Sequence, residues 1–243
     1  MSSEKEFPSK ENYREAFNKA KEGKTDLSFM KEFKIDDSLC DDLIDFFEKT
    51  PNREDNNPYY TKKPGAVGYA GQIRTEHKES LDLGFSSNLS RDLNLPEEFI
   101  PFANIYDRYV QELHKCTKQY IEEYPYIIGP MTRIEIREAT NIQHYPPGGG
   151  FKTYHCESAS DSLPQASRCL VFMTYLNTVT DDGGTHFVFQ DKVINAVKGK
   201  TLIWPANWPW THKGVISKTQ EKYIITGWYS YTNLNAKDIQ RFN

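Results

Sequence analysis

His155-Cys156-Glu157, followed by His212 and, ten residues later, Lys222, is the set of residues in this chain best suited to chemistry. If 152–157 is a strand, side chains at i and i+2 share a face, so His155 and Glu157 point together and Cys156 turns away. Two imidazoles and one carboxylate with open positions form the facial triad that holds non-haem Fe(II). A lysine nearby would suit the far carboxylate of a keto acid. The same donor set also suits zinc, but a zinc hydrolase has no use for Lys222. A binding domain without catalysis is the third reading, and retention of His155, His212 and Lys222 together argues against it.

These residues need a scaffold that converges them. After Pro130 the pattern alternates, as in Arg133-Ile-Glu-Ile-Arg137, the mark of half-buried strands. Further short strands are expected over 141–145, 152–157, 169–176, 185–189, 200–204, 210–215 and 222–231. Turn residues such as Pro146-Pro147-Gly148 and Asp181-Asp182-Gly183-Gly184 separate them. Many short strands with Gly/Pro turns indicate a sandwich or jelly roll. A hairpin centred near residue 217 would set His212 opposite Lys222 and bring Trp228 to the same face.

The N-terminal half is helical. Residues 1–25, rich in Lys and Glu, suggest a solvated helix or tail, and 27–33 an early strand. Asp36-Asp37-Ser38 offers capping side chains for a helix that must stop before Pro51. Apolar residues at helical spacing predict a long helix over 97–123. Residues 51–96 lack periodicity and predict loops with short strands, a candidate flap. Tyr59, Tyr60 and Arg74 there are candidates for a substrate groove. Trp204, Trp208, Trp210 and Trp228 are candidates for pocket walls. The expected organisation is a tail over 1–25 and one domain over 26–243, with helical support over 26–129 and a β core over 130–233.

Composition narrows the function classes. The chain has 243 residues, a formal charge of −4 and no long basic stretch, so nucleic acid is not an expected partner. Its four cysteines form no Cys-x-x-Cys pair. No apolar run is long enough to span a bilayer, and the expectation is a soluble, cytoplasmic protein with no membrane partner.

From about Ile134 to Tyr231 the chain resembles the prolyl 4-hydroxylase branch of the 2-oxoglutarate- and Fe(II)-dependent dioxygenases. The resemblance lies in Tyr145 with Gly148–Gly150 and Phe151, in His155-x-Glu157, in Tyr175-Leu176-Asn177 and in Gly183-Gly184-Thr185-His186-Phe187. Lys198-Gly199 and the set His212, Lys222 and Trp228 complete it. It implies a double-stranded β-helix flanked by helices, mainly β in an α+β chain. Iron would be held by His155, Glu157 and His212, with Lys222, Tyr145 and Trp228 on the cosubstrate side. Fe(II), 2-oxoglutarate, O2 and accessory ascorbate are the implied cofactors. The implied reaction hydroxylates a peptidyl proline, a related residue or a small molecule, releasing succinate and CO2. The departure is Glu157, where the branch has aspartate.

Overall fold

The computed structural model describes residues 8–55, 57–67, 71–87, 89, 92–129, 132–159 and 163–233. Residues 1–7 of the expected tail and the core's first residue, Pro130, lie outside them.

Ser9 caps the first helix, α1 (Lys10–Lys21), accepting from Asn12 N while the Asn12 side chain accepts from Ser9 N, a reciprocal capping box. The helix is solvated and buries none of its residues. The expected early strand begins later, as β1 (Lys31–Lys34). Asp36 caps α2 (Asp37–Lys49) by accepting from Ser38 N, and Leu39, Cys40, Leu43 and Phe47 make its buried stripe. The long helix α3 (Ile100–Glu123) follows a single 3₁₀ turn and carries a proline in its first turn, where the missing N–H costs nothing.

Twelve more strands follow or interleave. They are β2 (Tyr60–Pro64), β3 (Lys78–Glu79), β4 (Leu81–Phe85), β5 (Thr132–Ile136), β6 (Thr140–Tyr145) and β7 (Gly150–Phe151). Then come β8 (Arg168–Tyr175), β9 (Thr185–Phe187), β10 (Lys192–Ile194), β11 (Lys200–Pro205), β12 (His212–Gly214) and β13 (Lys222–Asn233), making twelve after β1. The major sheet runs β1-β11-β8-β13-β6-β4-β2, with β5 also on β13, and every pairing is antiparallel. The minor sheet is β10-β9-β12, and β3 pairs with β7. The chain is thus α+β, with a double-stranded β-helix carrying helices on one side.

Two cores meet at β8, whose both faces are buried. Leu170 and Phe172 pack with the α2 and α3 side chains, whereas Val171, Met173 and Tyr175 turn inward to join Phe187, Leu202, Trp204 and Ile224. Helices therefore seal one face of the major sheet, and the minor sheet covers part of the other. Among the described residues no helix is long and apolar enough to cross a membrane.

The 51–96 segment is more regular than expected. Its strands β2 and β4 extend the major sheet through β6. Tyr60 is buried and stacks on Phe102, and Tyr59 packs on Phe99, so these rings serve the helix core instead of a groove. Arg74 is exposed and bonds to Gln72.

Candidate active site

His155 and Glu157 do not lie on a regular strand, contrary to the alternation argument. After β7 the chain makes one isolated bridge, His155 to His212, with each backbone N–H donating to the other's carbonyl. It then curls so that Glu157 N and Ser158 N both donate to Ala206 O, at 3.0 Å each. Convergence therefore comes from docking this arm against the start of β12. Phe151 supports it by stacking on the His155 ring at 3.8 Å. Cys156, expected to face away, is among the residues lining the cavity below.

The expected hairpin between His212 and Lys222 does not form. β12 pairs with β9 in the minor sheet, while β13 pairs with β6 and β8 in the major one, where Lys222 sits opposite Tyr145. Residues 215–221 cross from sheet to sheet, and Asp181 pins the crossing by accepting from Lys218 N and Thr219 N. His212 and Lys222 nevertheless face one cavity, from opposite walls. It measures about 500 Å³ and is lined by His155, Glu157, His212, Tyr145, Lys222 and Trp228, among others.

The three ligand-type residues converge. Glu157 Oε1 lies 3.2 Å from His155 Nε2 and 3.6 Å from His212 Nε2, and one ligand atom from each residue falls within 4.8 Å of the others. His155 Nδ1 donates to Thr153 O at 3.0 Å and His212 Nδ1 to Trp210 O at 2.9 Å. Those bonds fix both tautomers with Nε2 free to ligate. Burial, aided by the nearby His155 charge, lowers the His212 pKa to about 4 against the opposing pull of Glu157, which keeps its ring neutral. Burial works to raise the Glu157 pKa, but the hydrogen bond and charge of His155 and the charges of His212 and Arg168 outweigh it. The carboxyl is held down at about 2. A neutral His212 ring and an ionised Glu157 carboxylate are states a divalent metal needs, and the donor set of two imidazoles and one carboxylate fits Fe(II).

Lys222 is buried, and its Nζ donates to Gly183 O at 2.9 Å. Burial lowers its pKa to about 8. Tyr145 presents its ring 5.1 Å from that ammonium and donates its hydroxyl to Gln143 Oε1. Trp228 Nε1 donates to Glu157 Oε2 at 3.0 Å. Of the other tryptophans, Trp204 lines the cavity. Trp208 is exposed, and Trp210 donates to Ser28 O outside the cavity.

Three lining residues escaped the sequence reading as site residues. Tyr175 and Thr185 share a 2.7 Å hydroxyl contact in the wall that holds Lys222. The inward alternation of β8 and β9 could have pointed to them. Arg168 is different: its guanidinium lies 3.7 Å over the Trp228 ring and bonds to Glu138 and Glu157. Counting back by twos from Tyr175, Met173 and Val171 places Cys169 inward and Arg168 outward. A register shift between Tyr229 and Ser230 sets Ser230 opposite Arg168 and reverses that order.

Residues 140–230 match the family model of the 2OG-Fe(II) oxygenase superfamily. No curated protein matches the chain. Among solved structures it is similar to a prolyl hydroxylase from Trichoplax adhaerens in complex with a hypoxia inducible factor oxygen degradation domain peptide fragment. That pair shares 13% identity over 96% of this chain and 94% of the other, with a TM-score of 0.60. A prolyl-4-hydroxylase from Pseudomonas putida gives 14% identity, 90% and 98% coverage and a TM-score of 0.57. The viral collagen prolyl hydroxylase of Paramecium Bursaria Chlorella virus-1, solved with 2OG, gives 18%, 83%, 95% and 0.53. At these identities the likeness establishes the fold.

Proposed function

Because the chain is a 2OG-Fe(II) oxygenase with a His-x-Glu…His triad, we propose that it hydroxylates an unactivated C–H bond of a peptidyl proline or a related amino-acid residue. The observation that supports this best is Lys222, a buried ammonium in the triad's own cavity with no carboxylate in ion-pair range among the described residues. Burying an unpaired cation is unfavourable, so its place there is explained by a ligand that brings the missing negative charge.

The spacing suits a five-carbon keto diacid. A Cβ built on Gly214 would lie 3.7 Å from Lys222 Nζ, and His212 stands two residues along β12 from that glycine. Two residues of strand span about 6–7 Å, comparable to the reach from the keto-acid end of 2-oxoglutarate to its distal carboxylate. In this reading His155, Glu157 and His212 hold the iron and Lys222 takes the distal carboxylate. Tyr145, Tyr175 and Thr185 shape the wall around that carboxylate. When bound, the iron supplies O2 activation coupled to decarboxylation of the keto acid, with succinate and CO2 released. The protein's part is to fix ligand tautomers, orient the cosubstrate and keep water from the reacting carbon. Toward Trp228 the lining includes Arg168, Gln165, Ala159 and Thr226, and Arg168, the one cation there among the described residues, is already paired. A neutral substrate group such as a prolyl ring in an amide backbone fits that surface. Three neighbours of this fold being prolyl hydroxylases adds to the choice.

The test is anaerobic titration with Fe(II) and 2-oxoglutarate, in which the visible charge-transfer band of the chelate is expected. Proline-containing peptides are then screened under O2 for the mass gain of one oxygen atom. Succinate release without any peptide product would count against a peptidyl substrate. Absence of the band would remove the oxygenase chemistry itself.

A further inference from the structure

We infer that Arg168 and Glu138 act as positioning residues that restrict Glu157 to a single ligand oxygen, an arrangement that makes a glutamate workable at this place in the triad. The inference rests on His155, Glu157 and His212 being the iron ligands. A glutamate has one more rotor than an aspartate, and an ionised carboxylate can offer both oxygens to one metal. An oxygenase centre needs its remaining positions open for the chelating keto acid and O2. A glutamate free to swing onto the metal with both oxygens would take one of them.

The geometry commits the two oxygens to different partners. Oε1 faces the imidazoles, 3.2 Å from His155 Nε2 and 3.6 Å from His212 Nε2. Oε2 is turned away and accepts from Trp228 Nε1 at 3.0 Å, with Arg168 Nη1 at 3.5 Å. The same Arg168 nitrogen donates to the Glu157 backbone carbonyl at 3.1 Å, so it restrains the residue at both ends. Arg168 in turn has little freedom. Its Nε donates to Glu138 Oε1 at 2.8 Å, its Nη2 bonds to Glu138 Oε2, and its plane lies against Trp228. Both side chains of the Arg168–Glu138 pair are nearly buried, at 11% and 13% exposure. Glu138 thus reaches the ligand only through Arg168. Two-pronged binding of a guanidinium is what turns an ion pair into an orientation device.

The experiment is a double-mutant cycle read by binding, with Co(II) as the metal probe and 2-oxoglutarate as the titrant in calorimetry. In the Glu157 protein, Arg168→Met is expected to weaken 2-oxoglutarate binding by about 10-fold or more, in the range that losses around metal ligands cost. In the Glu157→Asp background, whose shorter arm has less to restrain, the same substitution is expected to change binding by no more than about twofold. A purely structural salt bridge would give equal losses in both backgrounds, and that result would overturn the inference. Should Arg168→Met fail to fold, Glu138→Gln decides. A background-dependent loss of the same sign supports the role, and unchanged affinity removes it. Failure of the unaltered protein to bind 2-oxoglutarate with Co(II) would instead overturn the cosubstrate reading on which the inference rests, a separate result.

Discussion

Lys222 and Arg168 both bring a positive charge to the wall of one cavity, and their surroundings differ in kind. Lys222 begins β13 opposite Tyr145, and among the described residues its ammonium bonds only to the Gly183 carbonyl and faces the Tyr145 ring. Arg168 stands at the other end, opposite Ser230, with Glu138, Glu157 and the Trp228 ring all engaged. From Lys222 to Ser230 the two ends lie about 26 Å apart along the strand, at roughly 3.3 Å per residue over eight residues. One end keeps a charge uncompensated at a cost in stability, and the other neutralises its charge internally. An uncompensated buried cation makes sense where an anion must arrive; a compensated one makes sense where the protein must hold its own ligand still and present a neutral surface.

The triad separates these ends, and its removal is the severest way to break the arrangement. His212→Ala is expected to abolish 2-oxoglutarate turnover, a loss beyond the about 100-fold that outer-shell changes cost. Metal titration followed by succinate release checks it. Next come the two cations themselves, for which opposite outcomes are expected. Arg168→Met leaves Glu138 and Glu157 as neighbouring carboxylates without their shared cation. It should destabilise the protein by about 3–5 kcal/mol, as breaking a buried pair does. Lys222→Met removes a lone buried charge and should leave the melting temperature of cosubstrate-free protein unchanged or raised. It should nevertheless weaken 2-oxoglutarate binding by about 30-fold or more, the equivalent of at least about 2 kcal/mol. Thermal melts and cosubstrate titrations on both variants test the pair together. Equal destabilisation by both would erase the distinction.

The Lys222 end was legible in the sequence and the Arg168 end was not, for an identifiable reason. Inward positions on β13 follow strict alternation from Lys222 to Trp228, so chemistry-bearing residues fall on one face by counting. At Arg168 the count fails because the register shift by Ser230 moves the guanidinium to the side that Cys169 would otherwise occupy. Counting also mistook a crossing for a hairpin between His212 and Lys222. A sum rule for paired residues cannot tell a tight turn from a segment that changes sheets, and the Asp181 bonds that shape the crossing come from a distant loop. The helices were legible from capping and periodicity at Asp36 and over 97–123. In contrast, Tyr59 and Tyr60 were misplaced because their partners, Phe99 and Phe102, lie on a helix some 40 residues away in sequence.

A gentler perturbation of the comparison is pH. Burial alone lowers the Lys222 pKa to about 8, from 10.5 in the unfolded chain. The dianion requires the ammonium, so apparent 2-oxoglutarate affinity should be flat below pH 8 and fall above it, approaching about tenfold per unit. The stability effect has the opposite sign. Between pH 8 and 10.5 the unfolded chain binds more protons at this lysine than the folded one, so this group's penalty is full below pH 8 and is relieved as pH rises. In Lys222→Arg the affinity decline should vanish, because a guanidinium does not titrate there. A decline that persists in that variant would place the titrating group elsewhere.

Tyr145 offers the smallest and most selective perturbation. Its hydroxyl donates to Gln143 Oε1, and its ring faces the Lys222 ammonium. Tyr145→Phe keeps the ring and removes one hydrogen bond, a change of about 0.5–1.5 kcal/mol when the partner is neutral. If the hydroxyl stays with Gln143 when 2-oxoglutarate binds, the variant should raise the cosubstrate KM by about 2- to 10-fold. Gln143→Leu should then act in the same direction, because it frees the same hydroxyl. If the hydroxyl turns to the distal carboxylate, Gln143→Leu would leave KM unchanged or improve it, while Tyr145→Phe would cost nearer the about 1.5–3 kcal/mol of a bond to a charged group. We expect the first pattern, because the amide already occupies the hydroxyl and Lys222 can answer the carboxylate by itself. Comparing the two KM values decides how far the uncompensated charge at this end acts without help.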